Sequence, residues 1–284
     1  MNGAHQSLSI TDKAVWVIER NSERQLTLTA IAKACGVSRS HLAYAFGTAT
    51  GLSVMRYLRA RRLTEAARVL SRGARDILGV ALDAGYGSHE AFTRAFRDQF
   101  GTTPEAVRER GSLIGLPLIE PIELKAERKI HLEPPGLIES KAVRAVGLSE
   151  HCSWESVIRI PAQWQRFVPY IGAIANRLDR APIGVTQAPD DEGEFEYACG
   201  VEVARFGEHP PELMQLEIPP RTYAVFQHRG HISAVRETYF AIWNRALSKL
   251  ERAIANTPII ERHNPTFDPR TGESGIAIWI PLAT

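Results

Sequence analysis

Arg94 and Arg97, with His89, Glu90 and Thr93, fall on one side of the segment 88–101, and Arg39, Ser40, Ala43 and Tyr44 on the matching side of 38–51. Residues three and four apart share a helix face. Side chains of these types, carried on a helix, reach base edges and phosphates in a major groove. A second candidate chemistry centres on Glu261, set in the apolar stretch PIIERHNP. A carboxylate inside such a strand needs a cation, a hydrogen-bond donor or a raised pKa. The plainer alternative is an exposed strand residue paired with a neighbour such as Arg262.

The elements that must position the first set occur twice. AKACGVSRSHLAYAFGTATG (32–51) and ALDAGYGSHEAFTRAFRDQFG (81–101) share a small residue (Ala32, Ala81) four positions before a glycine (Gly36, Gly85). In each, a serine (Ser38, Ser88) then opens a helix whose apolar side runs through Leu42 and Phe46, or Phe92 and Phe96. Glycine suits the positive φ of the turn, serine caps the helix, and alanine permits close helix crossing. The spacing is that of a helix-turn-helix in tandem, with one residue (Gly87) inserted in the second turn. Between the copies, 54–70 has a helical apolar stripe, and Arg56, Arg59, Arg61, Arg62 and Arg68 lie mainly off it. We expect some of these arginines on phosphates. Residues 1–112 hold 16 Lys and Arg against 10 Asp and Glu, and the remainder 18 against 22. That asymmetry suits a nucleic-acid-binding part joined to something else.

Residues from about 8 to 110 resemble the DNA-binding domain of AraC/XylS transcription regulators. The strongest match is VALDAGYGSHEAFTRAFRDQFGTTPEAVR, with Phe92, Phe96, Phe100, Gly101, Pro104 and Arg108 on the family pattern. The first unit matches through Ile31, Ala32, Gly36, Ser38, Leu42 and Phe46. The family's first recognition helix often carries a basic or large polar reader where this chain has Ala43 and Tyr44. The resemblance therefore implies that the second helix carries more of the specificity, with Arg94 as the direct base contact.

The rest of the chain also repeats. A strand at 143–151, a helix at 161–178 and strands PIGVTQAP and EFEYACGVEV form one β-α-β-β unit. A strand at 222–229, a helix at 233–253 and strands PIIERHNP and GIAIWIPL form the second. Aligning the two Pro-to-Pro segments, 182–189 and 258–265, sets Glu261 opposite Val185. The fold expected is multidomain: an all-α, homeodomain-like tandem helix-turn-helix domain at 8–112, a Gly/Pro-rich, partly packed linker at 113–138, and an α+β domain at 139–284. Residues from about 140 onward resemble a GyrI-like domain, most clearly in PIIERHNPTFDPRTGESGIAIWIPL. In that family a cleft lined by aromatics has a glutamate at its base. The resemblance assigns Glu261 to that role, His263 to a position often held by Tyr, and Trp279, Tyr170, Tyr197 and Phe226 to the cleft wall.

Together these features point to a ligand-responsive transcription regulator, with double-stranded DNA, a small aromatic or hydrophobic effector and RNA polymerase as partners. Two other functions fit the second domain: hydrolysis with Glu261 and His263 as acid and base, or capture of a partner protein. No cofactor is expected, and no metal: His228 and His231 lack a third ligand at supporting spacing. The three cysteines, Cys35, Cys152 and Cys199, show no C-x-x-C spacing and suit a reducing cytosol. No apolar run reaches membrane-spanning length, so a cytoplasmic location is expected.

Overall fold

The computed structural model describes residues 8–21, 25–123, 130–250, 252–256, 258–264, 272–273 and 275–283. The amino-terminal half is helical: α1 (Ile10–Asn21), α2 (Leu28–Cys35), α3 (Arg39–Thr50), α4 (Val54–Ser71), α5 (Ile77–Asp83), α6 (His89–Phe100) and α7 (Pro104–Arg110). The cap residues set the boundaries. Ser38 and Ser88 accept from the backbone N–H of His41 and Ala91, satisfying orphan donors at the starts of α3 and α6. Gly36 and Gly85 take φ of 75° and 85° in the two turns, the left-handed region that glycine enters at no steric cost.

The second half is one eight-stranded antiparallel sheet in the order β1-β6-β8-β7-β3-β4-β2-β5. The first β-α-β-β unit is β2 (Val143–Ser153), α8 (Ile160–Phe167), β3 (Ile183–Thr186) and β4 (Glu194–Glu202). The second is β6 (Arg221–His228), α9 (Val235–Ala241), β7 (Ile259–His263) and β8 (Ile276–Pro281). Two edge strands were not expected from sequence. β1 (Gly136–Ser140) pairs with β6, and β5 (Met214–Ile218) pairs with β2. Each edge strand thus precedes one unit and borders the other. β1 also crosses the expected linker boundary at 138.

Both expected long helices are shorter. Pro169 lacks a backbone N–H and cannot continue α8, so Val168–Ala173 tightens to a 3-10 turn. The helix α9 gives way to a π-helical segment, Ile242–Ala246, and a 3-10 turn, Leu247–Lys249. The described start of the 113–138 segment packs on α4. Ile119 N–H donates to Thr64 Oγ1 and Ile122 N–H to Tyr57 Oη, while Arg61 donates to the Ile119 carbonyl.

Three apolar clusters organise the molecule. The second helix-turn-helix unit has its own core, with Phe92, Phe96, Phe100 and Val107. One sheet face carries Ile183, Val185, Tyr223, Ile260 and Ala277, with Trp279 against them. The largest cluster is continuous from the first helix-turn-helix unit (Ile18, Ile31, Leu42, Phe46) to the other sheet face and its helices (Phe167, Tyr197, Phe226, Trp243, Ile278). The first unit and the α+β domain therefore share one core, and the second unit does not join it.

Candidate DNA interface and effector cleft

On α6 three of the five expected residues face outward. Glu90, Arg94 and Arg97 are exposed, and among the described residues neither arginine forms an ion pair. His89 is held by Glu105 on α7 at 2.9 Å, and the Thr93 hydroxyl is enclosed without a hydrogen-bond partner among the described residues. The carboxyl of Glu90 lies below its ordinary range, first through its own backbone N–H and then through Ser88, the interactions of a helix amino terminus. The α6 face thus offers two free guanidinium groups to a groove.

The face of α3 is not free, which corrects the expectation for Ala43, Tyr44, Arg39 and Ser40. From His41 to Thr48 every residue is buried. The ring of Tyr44 stacks on Trp243 with centroids 4.4 Å apart and planes within 9°, and its hydroxyl donates to the Gln187 carbonyl at 3.0 Å. Trp154 meets Tyr44 edge-on at 5.7 Å. It also occupies the space where a Cβ on Gly47 would sit, which accounts for a glycine in mid-helix. Polar groups close the seam: His41 Nε2 donates to the Trp243 carbonyl (2.7 Å), Asn244 donates to the Ala45 carbonyl (3.0 Å), and Arg236 donates to the Thr48 carbonyl (3.0 Å). Burial lowers the pKa of His41 and raises that of Tyr44, so both are neutral here. At the rim, Arg39 pairs with Asp191, Arg56 with Glu155 (2.7 Å), Arg59 with Glu192 (2.6 Å), and Ser40 Oγ donates to Asn256 (3.2 Å).

The arginines of α4 need a similar correction. Arg61 is buried and bonds Glu19, which also accepts from Tyr57 at 2.6 Å. Burial alone would raise the Glu19 carboxyl, yet these donors hold it below its ordinary range. Arg68 pairs with Glu120 at 2.6 Å. Arg61 is thus a structural ion pair rather than a phosphate contact.

Glu261 lies on β7 directly opposite Gly184 of β3 and Ile278 of β8. Its Oε2 accepts from Tyr197 Oη at 2.8 Å and its Oε1 from Tyr239 Oη at 2.5 Å. Trp164 Nε1 donates to Tyr197 Oη at 3.1 Å, and Trp164 meets the His263 ring edge-on at 4.8 Å. His263 Nδ1 donates to the Pro182 carbonyl (3.1 Å), which fixes its ring. Both tyrosine hydroxyls titrate well above their usual value, because of burial first and the Glu261 charge second. The phenols therefore stay protonated donors. Gly184 makes this possible: a Cβ there would collide with Tyr197 Oη and approach Glu261 Oε2 at 2.7 Å. Gly184→Ala should break the Tyr197–Glu261 bond and cost about 1–3 kcal/mol in the domain, read by urea unfolding. A loss below a tenth of that would show that the strands relax around a methyl group.

Of the residues assigned to the cleft, Tyr197 bonds Glu261, and His263 is linked to them through Trp164. Phe226 is buried on the same sheet face, opposite Ile278, and Tyr170 packs against that cluster from the turn after α8. Trp279 does not belong there. It follows Ile278, and successive strand residues face opposite ways. It lies on the other face beneath Arg262, whose guanidinium is 4.7 Å from the ring centre. The Pro-to-Pro alignment of the two units is off by one for the same reason: Val185 faces the Ile260 side, whereas Glu261 faces Tyr197 and Tyr239. Tyr239 was not singled out from sequence. Its signal was an aromatic on the helix facing the glutamate strand, one among many aromatics in this half.

His228 is buried, donating from Nε2 to the His231 carbonyl and accepting at Nδ1 from Thr238. It is a structural residue, and among the described residues no group of three metal-ligating side chains occurs. The three cysteines are free and buried. No described helix is long and apolar enough to cross a membrane.

A tandem helix-turn-helix half joined to a two-unit α+β domain with a carboxylate set among aromatics defines a class of DNA-binding transcription regulators. The chain belongs to the GyrI-like family: the model of the GyrI-like small molecule binding domain matches residues 134–283, and that of a helix-turn-helix domain matches 31–110. The helix-turn-helix half is AraC-type. The chain is 26% identical over 275 residues to the transcriptional regulator Rob of Salmonella typhimurium, covering 94% of each chain. It is 37% identical over 107 residues to the regulatory protein SoxS of Escherichia coli, covering 38% of this chain and 98% of that one. Among solved structures, an AraC-type regulator from Chromobacterium violaceum is 29% identical over 37% of this chain and 95% of its own, with a TM-score of 0.35. A helix-turn-helix domain joined to a GyrI-like domain makes the chain a DNA-binding transcription regulator.

Proposed function

We propose that the cleft around Glu261 binds a small, aromatic or hydrophobic effector, favouring a cation, and that α6 reads bases through Arg94 with Arg97 beside it. The observation that carries the first part is one carboxylate held by two protonated phenols among Trp164 and His263. A partly buried carboxylate set against aromatic rings favours a desolvated cation with π-faces. Occupancy must favour one arrangement of the chain over another if it is to regulate. RNA polymerase is the protein partner this reading implies.

Tetraphenylphosphonium and tetraphenylborate have the same shape and opposite charge. Titration against tryptophan fluorescence should saturate with the cation and not with the anion. Equal responses would remove Glu261 from recognition. For DNA, Arg94→Ala should cost about 1–3 kcal/mol at its own base pair. A loss spread equally over all sequences would make Arg94 a phosphate contact instead.

A further inference from the structure

We propose that the GyrI-like domain occupies the DNA-reading face of the first helix-turn-helix unit as a stand-in for DNA, so that the domain and a DNA groove compete for α3. A recognition helix must enter a major groove about 12 Å wide with its outer face clear. Here that face is filled: Tyr44 is 5% exposed, stacked on Trp243, and Gly47 lies against Trp154. No groove can be read by α3 while these contacts stand. The rim copies the charge pattern of a backbone. Asp191, Glu155 and Glu192 take the guanidinium groups of Arg39, Arg56 and Arg59, residues at the start of α3 and along α4. All six side chains remain 41–58% exposed, so each pair is weak and exchangeable for phosphate.

The arrangement is one-sided. The second unit has its own core and contributes no residue to the shared one, so α6 keeps its free arginines while α3 is covered. In this state the chain touches DNA through one reading helix. Released, it would use two, on blocks about one helical turn apart.

The same helical run ties the seam to the cleft, a link that rests on the effector reading above. Tyr239, which binds Glu261, precedes Trp243 by four residues and Asn244 by five. The π-helical segment starts between them at Ile242, a non-standard turn of the kind found at hinges. A cation that takes Glu261 from Tyr239 therefore acts on the segment that grips α3. Tyr44 also contributes to the raised pKa of Tyr239, so the two phenols lie within electrostatic reach.

The test uses the full chain and needs no ligand. Glu155→Gln, Asp191→Asn and Glu192→Gln together remove the rim acids at exposed positions. A footprint on selected DNA should extend from one block to two, with about tenfold tighter binding. A second variant, Ser40→Cys with Asn256→Cys, is joined by a short bismaleimide and compared with itself after blocking by a monomaleimide. The joined form should protect one block and bind about tenfold more weakly than the blocked form. Wild-type protein that already protects two blocks would overturn the proposal. So would failure of the two thiols to be joined, or a uniform affinity gain in the acid variant with an unchanged footprint. Tetraphenylphosphonium then separates the two readings. If it leaves the footprint at one block while the acid variant extends it, the masking stands and the effector role of Glu261 fails.

Discussion

Asn244→Ala is expected to detach the first helix-turn-helix unit from the GyrI-like domain. The Asn244 amide accepts from Thr11 N–H (2.9 Å) and Thr11 Oγ1 (2.8 Å) and donates to the Ala45 carbonyl (3.0 Å). All of these groups are buried. Alanine restores none of the bonds, and the Thr11 N–H is left without its acceptor. Each orphaned buried group costs about 1–3 kcal/mol, so a loss of about 2–5 kcal/mol in the docked state follows. Because the core is continuous across the seam, that loss should change the unfolding pattern as well as the midpoint. Urea unfolding by tryptophan fluorescence should separate into two transitions, with Trp154 and Trp243 exposed in the first. A single transition shifted by less than about 0.5 kcal/mol, the range of a neutral surface change, would mean that the seam does not depend on this network.

Glu261→Gln carries the second large effect. The substitution keeps the shape and an acceptor oxygen while removing the charge. Tetraphenylphosphonium has no hydrogen-bond donor, so what it loses is the counter-charge of the carboxylate. Affinity for tetraphenylphosphonium should therefore fall by roughly ten- to a hundredfold, one to two steps of 1.4 kcal/mol. The domain itself should not be destabilised, because a partly buried carboxylate is replaced by a neutral amide that is easier to desolvate. Retained affinity would move the binding site away from this strand. A collapse of the fold would show that Tyr197 and Tyr239 need the anion for packing.

Local chemistry was legible in the sequence because it acts within a few residues. The serine caps, the glycines at positive φ and the Phe92/Phe96 pair depend on neighbours three to five positions away. The parity of strands was legible too, but only with the register right. Assigning Trp279 to the cleft failed because it sits one residue beyond Ile278, the register partner of Glu261. The shortened helices trace to Pro169 and to a π-helical turn, and the second has no sequence signal of its own. The edge strands β1 and β5 were missed because short, largely exposed strands carry little hydrophobic pattern.

The seam between domains left one trace that was open to reading. From Ser40 to Met55 the chain has no Asp, Glu, Lys or Arg, although it includes all of the α3 recognition helix after its first residue, Arg39. A helix without a charged face can bury its whole circumference. Ala43 and Tyr44, in positions where a base reader was expected, and Gly47 in mid-helix are consequences of that burial. What no sequence pattern supplies is the partner. Trp154, Trp243 and Asn244 lie more than a hundred residues away, and their approach is a property of the assembled chain.

Recognition through α6 is tested by selection of bound fragments from genomic DNA with the full chain at near-physiological salt, and with Arg94→Ala in parallel. Wild-type protein should enrich a short block whose binding falls steeply with salt, and the Arg94→Ala variant should lose preference at one base pair. No enrichment by wild-type protein at any salt, or identical preferences in the two proteins, would contradict recognition through α6.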